Sequence, residues 1–278
     1  MTKANPRVVS ALARLAEDAL LSESHRPIVI GICGAQASGK STLAAELVGH
    51  FNARSIPATS LSLDDLYLTR RERLDLAKSV HPLFATRGVP GTHDVALGMQ
   101  VIDELRQSLP ASLPRFDKAA DDRASSDRWG RAPAECQVLF FEGWCVGALP
   151  QTEDDLRQPV NELEAVEDRE GVWRAYVNGC LAGEYRRLYA CIDRLALLAT
   201  PSFEIVYRWR LEQEDELRKA SQGRESRLME TDAIRRFVAH YERLTRHILC
   251  EMPERADLVI ELDDTRQPRK IKWHCHDI

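Results

Sequence analysis

The stretch Val29-Ile30-Gly31-Ile32-Cys33-Gly34-Ala35-Gln36-Ala37-Ser38-Gly39-Lys40-Ser41-Thr42 constrains this chain more than any other. Its apolar start reads as a buried strand, which breaks at Gly34 and continues as Gly-x-x-x-x-Gly-Lys-Ser. Leu43, Leu47 and Phe51 then recur at helical spacing. Strand, glycine loop and helix in that order form a phosphate-binding P-loop. Glycine admits backbone angles closed to other residues, so the loop's N–H groups can ring a phosphate at the positive end of a helix. Gly34, Ala35, Gln36, Ala37, Ser38, Gly39, Lys40, Ser41 and Thr42 are therefore expected to hold the phosphates of ATP. Lys40 would reach the β- and γ-phosphates, and Ser41 would place its hydroxyl on Mg2+.

A chain of 278 residues can build one large α/β domain with insertions, or two small domains. The net charge of -5 gives no dominant basic patch, which argues against nucleic acid as the main partner. No apolar run reaches the length of a membrane span, and Met1 to Arg14 has no signal-peptide core, so no membrane partner is expected. The seven cysteines form no C-x-x-C pair, and an odd, scattered set suits a reducing, cytoplasmic setting. Trp273-His274-Cys275-His276 has metal-binding residue types. With no second cluster nearby it reads as a polar C-terminal tail. Oligomeric state leaves no mark in the sequence.

Five short apolar strands alternate with helical segments. Beyond the first, they are about 58–63, 137–144, 195–199 and 258–262. Asn5-Pro6 opens an amphipathic N-terminal helix over 5–22. Residues 70–92 read as loop-rich, and Asp94 opens a helix with Val95, Val101, Ile102, Leu105 and Leu109 inward. The run 121–131 reads as a solvated surface loop. Ile234, Phe237, Tyr241, Leu244 and Ile248 mark one patterned helix. The expected fold is an α/β P-loop NTPase three-layer sandwich, with a mostly parallel five-stranded sheet and a helical lid insertion. We expect a single domain, 1–278, with a substrate-binding insertion at about 65–132 and a lid at about 208–250.

A P-loop does not say what becomes of the γ-phosphate. The guanine signature Asn-Lys-x-Asp is absent, and a motor would need a larger chain. Transfer to a small molecule needs a base, a substrate pocket and arginines. Asp64 and Asp65 follow a strand end, where open α/β sheets bind ligands. Glu142 ends the strand 137–144, where an acid can orient Mg2+ directly or through water. The shaped loop Arg87 to Asp94 has polar reach, although Asp94 would also cap its helix. Arg208 and Arg210 lie two apart on a helix and point to different sides. One is expected to reach phosphate, Arg208 slightly preferred, while the other pairs with an acid such as Glu212 or Glu214.

After the P-loop come, in order, Ser62-Leu63-Asp64-Asp65-Leu66-Tyr67-Leu68-Thr69, Arg87-Gly88-Val89-Pro90-Gly91-Thr92-His93-Asp94, Pro114-Arg115-Phe116-Asp117-Lys118, Phe141-Glu142-Gly143-Trp144 and Val206-Tyr207-Arg208-Trp209-Arg210. Together these resemble the plant-type D-glycerate 3-kinase family, kin to uridine kinase, phosphoribulokinase and pantothenate kinase. The resemblance implies ATP-dependent phosphorylation of D-glycerate on its 3-hydroxyl. By it, Asp64 matches the acid that takes the acceptor's proton, and Asp94 matches an acid that contacts substrate hydroxyls. Asp65, Tyr67, Arg87, His93, Asp94, Arg115 and Lys118 form the expected substrate set. Of these, Arg87, His93, Arg115 and Lys118 are candidates to hold the carboxylate. Lys40, Asp64 and Arg208 form the catalytic set, Arg210 joins the nucleotide contacts, and Ser41 and Glu142 hold Mg2+. Phe116 stands where such kinases commonly have tyrosine, and Leu66 where phenylalanine is usual. Two alternatives stay open: a kinase of this build acting on another small hydroxylated acid or metabolite, and an ATP-binding regulator with little transfer. The turn from Asp263 to Arg269 is a place to seek the adenine pocket.

Overall fold

The computed structural model describes residues 3–220 and 231–274, the side chains of 216–220 and 231 excepted. The centre is a sheet of six strands: β1 (Ile28–Gly34), β2 (Ala58–Ser62), β3 (Val138–Gly143), β4 (Arg194–Ala199), β5 (Leu258–Leu262) and β6 (Pro268–Trp273). Their order is β6-β5-β4-β1-β3-β2. The first five are mutually parallel, and β6 runs antiparallel to β5. The sixth strand corrects the expectation of five. Its sequence, Pro-Arg-Lys-Ile-Lys-Trp, is polar because an edge strand has one free side, and it pairs Ile271 with Ile260. The residues read as a tail thus join the sheet up to Trp273; Cys275 and His276 lie outside the described residues.

Both faces of the sheet are buried, so β1 reads as one apolar run while its side chains part by alternation. Ile28, Ile30 and Ile32 pack with α1 (Pro6–Ser22) and α2 (Lys40–Asn52), through Leu12, Leu15, Leu43, Leu47 and Phe51. Val29 and Cys33 face the opposite layer, built from α4 (Val95–Arg106) and residues such as Tyr185, Leu188 and Leu244. This is the three-layer sandwich.

Three helical expectations change. Residues 70–79 form a helix, α3 (Arg70–Ser79), closed by a capping box in which Thr69 and Glu72 exchange hydrogen bonds. The Thr-x-x-Glu spacing was its signal. Helix α4 ends at Arg106, and Leu109 lies beyond it, 47% exposed. The patterned segment from Ile234 to Ile248 is two helices, Thr231–Ala239 and Glu242–Glu251, broken at Tyr241. The break lets the Tyr241 hydroxyl donate to the Arg87 carbonyl at 3.2 Å. No helix among the described residues is long and apolar enough to cross a membrane.

Candidate active site

The P-loop joins β1 to α2 at the carboxyl end of the sheet. Gly39 sits at φ +92° and Ala37 at φ +59°. The left-handed region favours glycine, and Gly39 turns the chain into α2 without a side-chain cap. A Cβ at Gly34 would lie 2.9 Å from the Leu198 Cβ, so this close strand contact requires glycine. The first N–H groups of α2 have no acceptor within their own helix. Ser38 Oγ and both side-chain polar atoms of Gln36 are buried without partners. Unpaired donors around a helix N-terminus fit a bound triphosphate. Lys40 is buried and donates to the Ala35 carbonyl at 2.9 Å, within the loop it would serve.

Ser41 Oγ donates to Glu142 Oε1 at 2.7 Å. Parallel pairing of β1 and β3 brings Glu142 opposite Ile32 and therefore beside the loop. A hydroxyl and a buried carboxylate are hard oxygen donors, the chemistry Mg2+ prefers. These two residues could hold it.

Asp64 and Asp65 stand in a 3-10 turn, Leu63–Leu66, directly after β2. Asp64 accepts from the Tyr67 hydroxyl at 2.9 Å and from Lys118 Nζ at 2.7 Å. Burial alone would raise its carboxyl. The Lys118 ammonium, Lys40 and the Tyr67 hydroxyl together outweigh burial, and Asp64 is held well below the usual carboxylate range. Asp64 in turn raises the Lys118 ammonium. Asp65 is engaged elsewhere: it accepts from Arg115 at 2.7 Å and from the Phe116 N–H at 3.0 Å, tying a small hairpin to the site. Both expected substrate residues are thus paired with each other here, and Arg115 is half-exposed.

The hairpin, Phe116–Asp117 paired with Asp122–Arg123, forms one wall. Phe116 packs edge-on against Tyr67, with the Arg87 guanidinium 5.3 Å above its ring. Arg87 and the buried Arg73 both bind Asp121. Arg73 also donates to the carbonyls of Ala85, Asp121 and Leu68. Asp94 caps α4 by accepting the Leu97 N–H at 3.0 Å, and its other oxygen accepts from Arg123 at 3.0 Å. Asp94 thus caps its helix and anchors the hairpin at once. Residues 121–123 are part of this wall, not a solvated loop, since long-range pairs to Arg87, Arg73 and Asp94 hold them.

His93 is buried and stacks on Tyr67 at 4.5 Å. Burial pushes its imidazole down to about 3, against an opposing pull from Asp64. It is therefore neutral, and any hold it has on a substrate carboxylate is an uncharged hydrogen bond. Both lid arginines are paired. Arg208 is half-exposed and holds Asp264 at 3.1 Å; Arg210 is largely buried, binds Glu214 and lies 5.8 Å over Phe237. Arg208 also lies 4.0 Å from Glu212, so each arginine has an acid one turn further along the helix Glu204–Ala220, as the expected pairing with Glu212 or Glu214 requires of one of them. The turn after β5 reaches the nucleotide side: Arg266 donates to the Ala37 carbonyl at 2.9 Å and stacks 5.0 Å over Trp209. Residues 221–230 of the expected lid lie outside the described residues.

Sheet order, P-loop and a carboxylate at the neighbouring strand end define a P-loop kinase. The phosphoribulokinase/uridine kinase family matches residues 29–152. A kinase of Schizosaccharomyces pombe, mug58, is 34% identical over 231 residues, covering 78% of this chain and 79% of that protein. The chain belongs to this family of small-molecule kinases, which use ATP. The chloroplastic D-glycerate 3-kinase of Arabidopsis thaliana is 29% identical over 256 residues, 87% of this chain; the match spans about half, 54%, of that relative. The solved D-glycerate 3-kinase of Cryptococcus neoformans shares the fold, with a TM-score of 0.80 over 97% of this chain and 100% of its own, at 23% identity. The resemblance to the D-glycerate 3-kinases therefore holds.

Proposed function

We propose that this kinase transfers the γ-phosphoryl group of ATP to the 3-hydroxyl of D-glycerate, forming 3-phosphoglycerate and ADP. The observation that carries the reading is the position of Asp64: a charged carboxylate at the end of β2, within the field of Lys40, with Lys118 on one oxygen and Tyr67 on the other. A three-carbon hydroxy acid needs such a base for its alcohol and cations for its carboxylate. The D-glycerate 3-kinases of Arabidopsis and Cryptococcus support the choice of acid.

Asp64 accepts the proton as the hydroxyl oxygen forms its bond to phosphorus and the bond to the ADP oxygen breaks. Lys118 leaves Asp64 for the substrate carboxylate, which frees the base as the acid binds. Arg87, fixed over Phe116, supplies a second cation. Lys40 and the P-loop amides hold the phosphates in line. Ser41 and Glu142 would hold Mg2+, whose charge neutralises the transferring group. Arg210, on the side of Phe237 and Tyr241, serves as the lid cation, and Arg266 closes the nucleotide side.

The test is to incubate the protein with Mg2+, ATP and D-glycerate and identify the product by phosphorus NMR and mass spectrometry. 3-Phosphoglycerate formed in step with ADP is the expected result. ADP release with a different hydroxy acid and none with D-glycerate would move the reading to that acid. ATP binding with no acceptor-dependent release would make the protein a regulator.

A further inference from the structure

Tyr185 ends a π-helical turn, Leu181–Tyr185, set between the helices Val172–Cys180 and Arg186–Tyr189. Such turns are rare and gather at functional sites. Its fully buried hydroxyl reaches the substrate loop. The oxygen accepts the Gly91 N–H at 3.0 Å and lies 2.6 Å from His93 Nδ1.

A phenol has one proton to give, and burial keeps it in place by pushing the Tyr185 phenol well above its ordinary range. The Gly91 N–H points inward, so that contact cannot receive the proton. If His93 Nδ1 also carried hydrogen, the oxygen would accept two bonds. The phenol proton would then have no acceptor among the described residues, at a cost of about 1–3 kcal/mol. The satisfied arrangement has Tyr185 donating to Nδ1, which puts the imidazole proton on Nε2. That nitrogen is itself buried without a partner. A buried, unpaired donor is rare in a finished protein unless something else brings the acceptor. The ring stacks on Tyr67, whose hydroxyl binds Asp64.

We propose that Tyr185 is a positioning residue that locks His93 as a neutral Nε2–H donor to an oxygen of the acceptor substrate. This rests on the kinase reading above. A neutral donor suits the place: a cation there would compete for the Asp64 carboxylate, as Lys118 does, whereas an uncharged N–H binds an oxygen and leaves the base its charge.

The tautomer can be read without substrate. In protein labelled with 15N-histidine, two-bond proton–nitrogen spectra distinguish Nε2–H from Nδ1–H, and His93→Gln identifies the His93 signals. Wild type is expected to show the Nε2–H form, and Tyr185→Phe a mixture or the Nδ1–H form. With the acceptor that the product assay identifies, Tyr185→Phe should raise acceptor KM about five- to tenfold, with kcat and ATP KM within about twofold. An Nδ1–H signal in wild type, a Tyr185→Phe spectrum identical to wild type, or a loss confined to kcat would each overturn the proposal. If D-glycerate is not phosphorylated, the functional reading fails while the spectra still decide the tautomer. If Tyr185→Phe does not fold, the wild-type spectrum decides alone.

Discussion

Lys118 Nζ lies 2.7 Å from Asp64 Oδ2, so the expected base is held by a cation from the hairpin across the cleft. The pair sets the pH behaviour of the site. Burial raises Asp64, Lys118 leads the partners that together more than cancel that rise, and the carboxylate stays charged below the usual carboxylate range. A general base must be deprotonated to act. In wild type, protonation of Asp64 should not limit kcat/KM until the pH falls below that range. Lys118→Met leaves burial opposed only by weaker partners, so the acid limb should move to higher pH. Acceptor KM should rise as well. Profiles of kcat/KM against pH for the two proteins check both effects.

Asp64→Asn keeps the shape and removes the charge. Turnover should fall by about 10² or more, because base catalysis contributes on that scale. ATP affinity, measured by calorimetry, should stay near wild type, since the phosphates are held by the P-loop. Near-full turnover in Asp64→Asn would exclude Asp64 as the base. Asp65 is a poor substitute, because Arg115 and the Phe116 N–H already occupy it.

The sequence made the P-loop, the parallel strands and Glu142 legible because each has a local signature: a glycine spacing, an apolar run, an acid at a strand end. Asp64 was legible for the same reason. The pairing of the charges was not. Arg123 meets Asp94 across 29 positions and Arg115 meets Asp65 across 50, and the hairpin between them looks like a charged surface run when read along the chain. Tyr185 was hidden by irregular helix spacing around a π-turn. Strand β6 was hidden because a half-exposed edge need not be apolar. The Thr69–Glu72 capping box was a readable signal for α3 that the loop-like composition downstream obscured.

Glu142 accepts from Ser41 Oγ at 2.7 Å in a buried setting. Glu142→Gln retains size but loses the charge that would orient Mg2+. Half-maximal rate should then require about tenfold more Mg2+, in the range found when a supporting partner of a metal ligand is lost. Titration of initial rate with Mg2+ at fixed ATP checks this. A rate that saturates at the wild-type Mg2+ concentration would remove Glu142 from the site.

Arg208 and Arg210 should separate by stability as well as rate. Arg208 is half-exposed beside Asp264, and exposed ion pairs contribute about 0–1 kcal/mol, so Arg208→Ala should barely shift the thermal midpoint. Arg210→Ala strands the buried Glu214 carboxylate, which costs about 3 kcal/mol or more. Arg210→Ala should also lower kcat further than Arg208→Ala does. Adding Glu214→Gln to Arg210→Ala should restore much of the stability and none of the turnover, which separates folding from catalysis. Thermal melts and initial rates on the three variants are the measurements.

Asp121 holds two arginines: one oxygen binds Arg87 and the other lies 3.0 Å from the buried Arg73. Its backbone is left-handed, at φ +55°, a conformation that asparagine tolerates. Asp121→Asn therefore removes the charge without straining the turn. Arg73 keeps its carbonyl partners Ala85, Leu68 and residue 121 but loses its anion, and the chain should lose about 1–3 kcal/mol by denaturant unfolding. Arg87 loses the partner that fixes it over Phe116, so acceptor KM should rise several-fold while ATP KM holds. Asp121→Ala also strains the turn, since alanine is poorly suited to positive φ, and should be the less stable of the two. If Asp121→Asn left acceptor KM unchanged, Arg87 would be an architectural arginine and the substrate carboxylate would rest on Lys118.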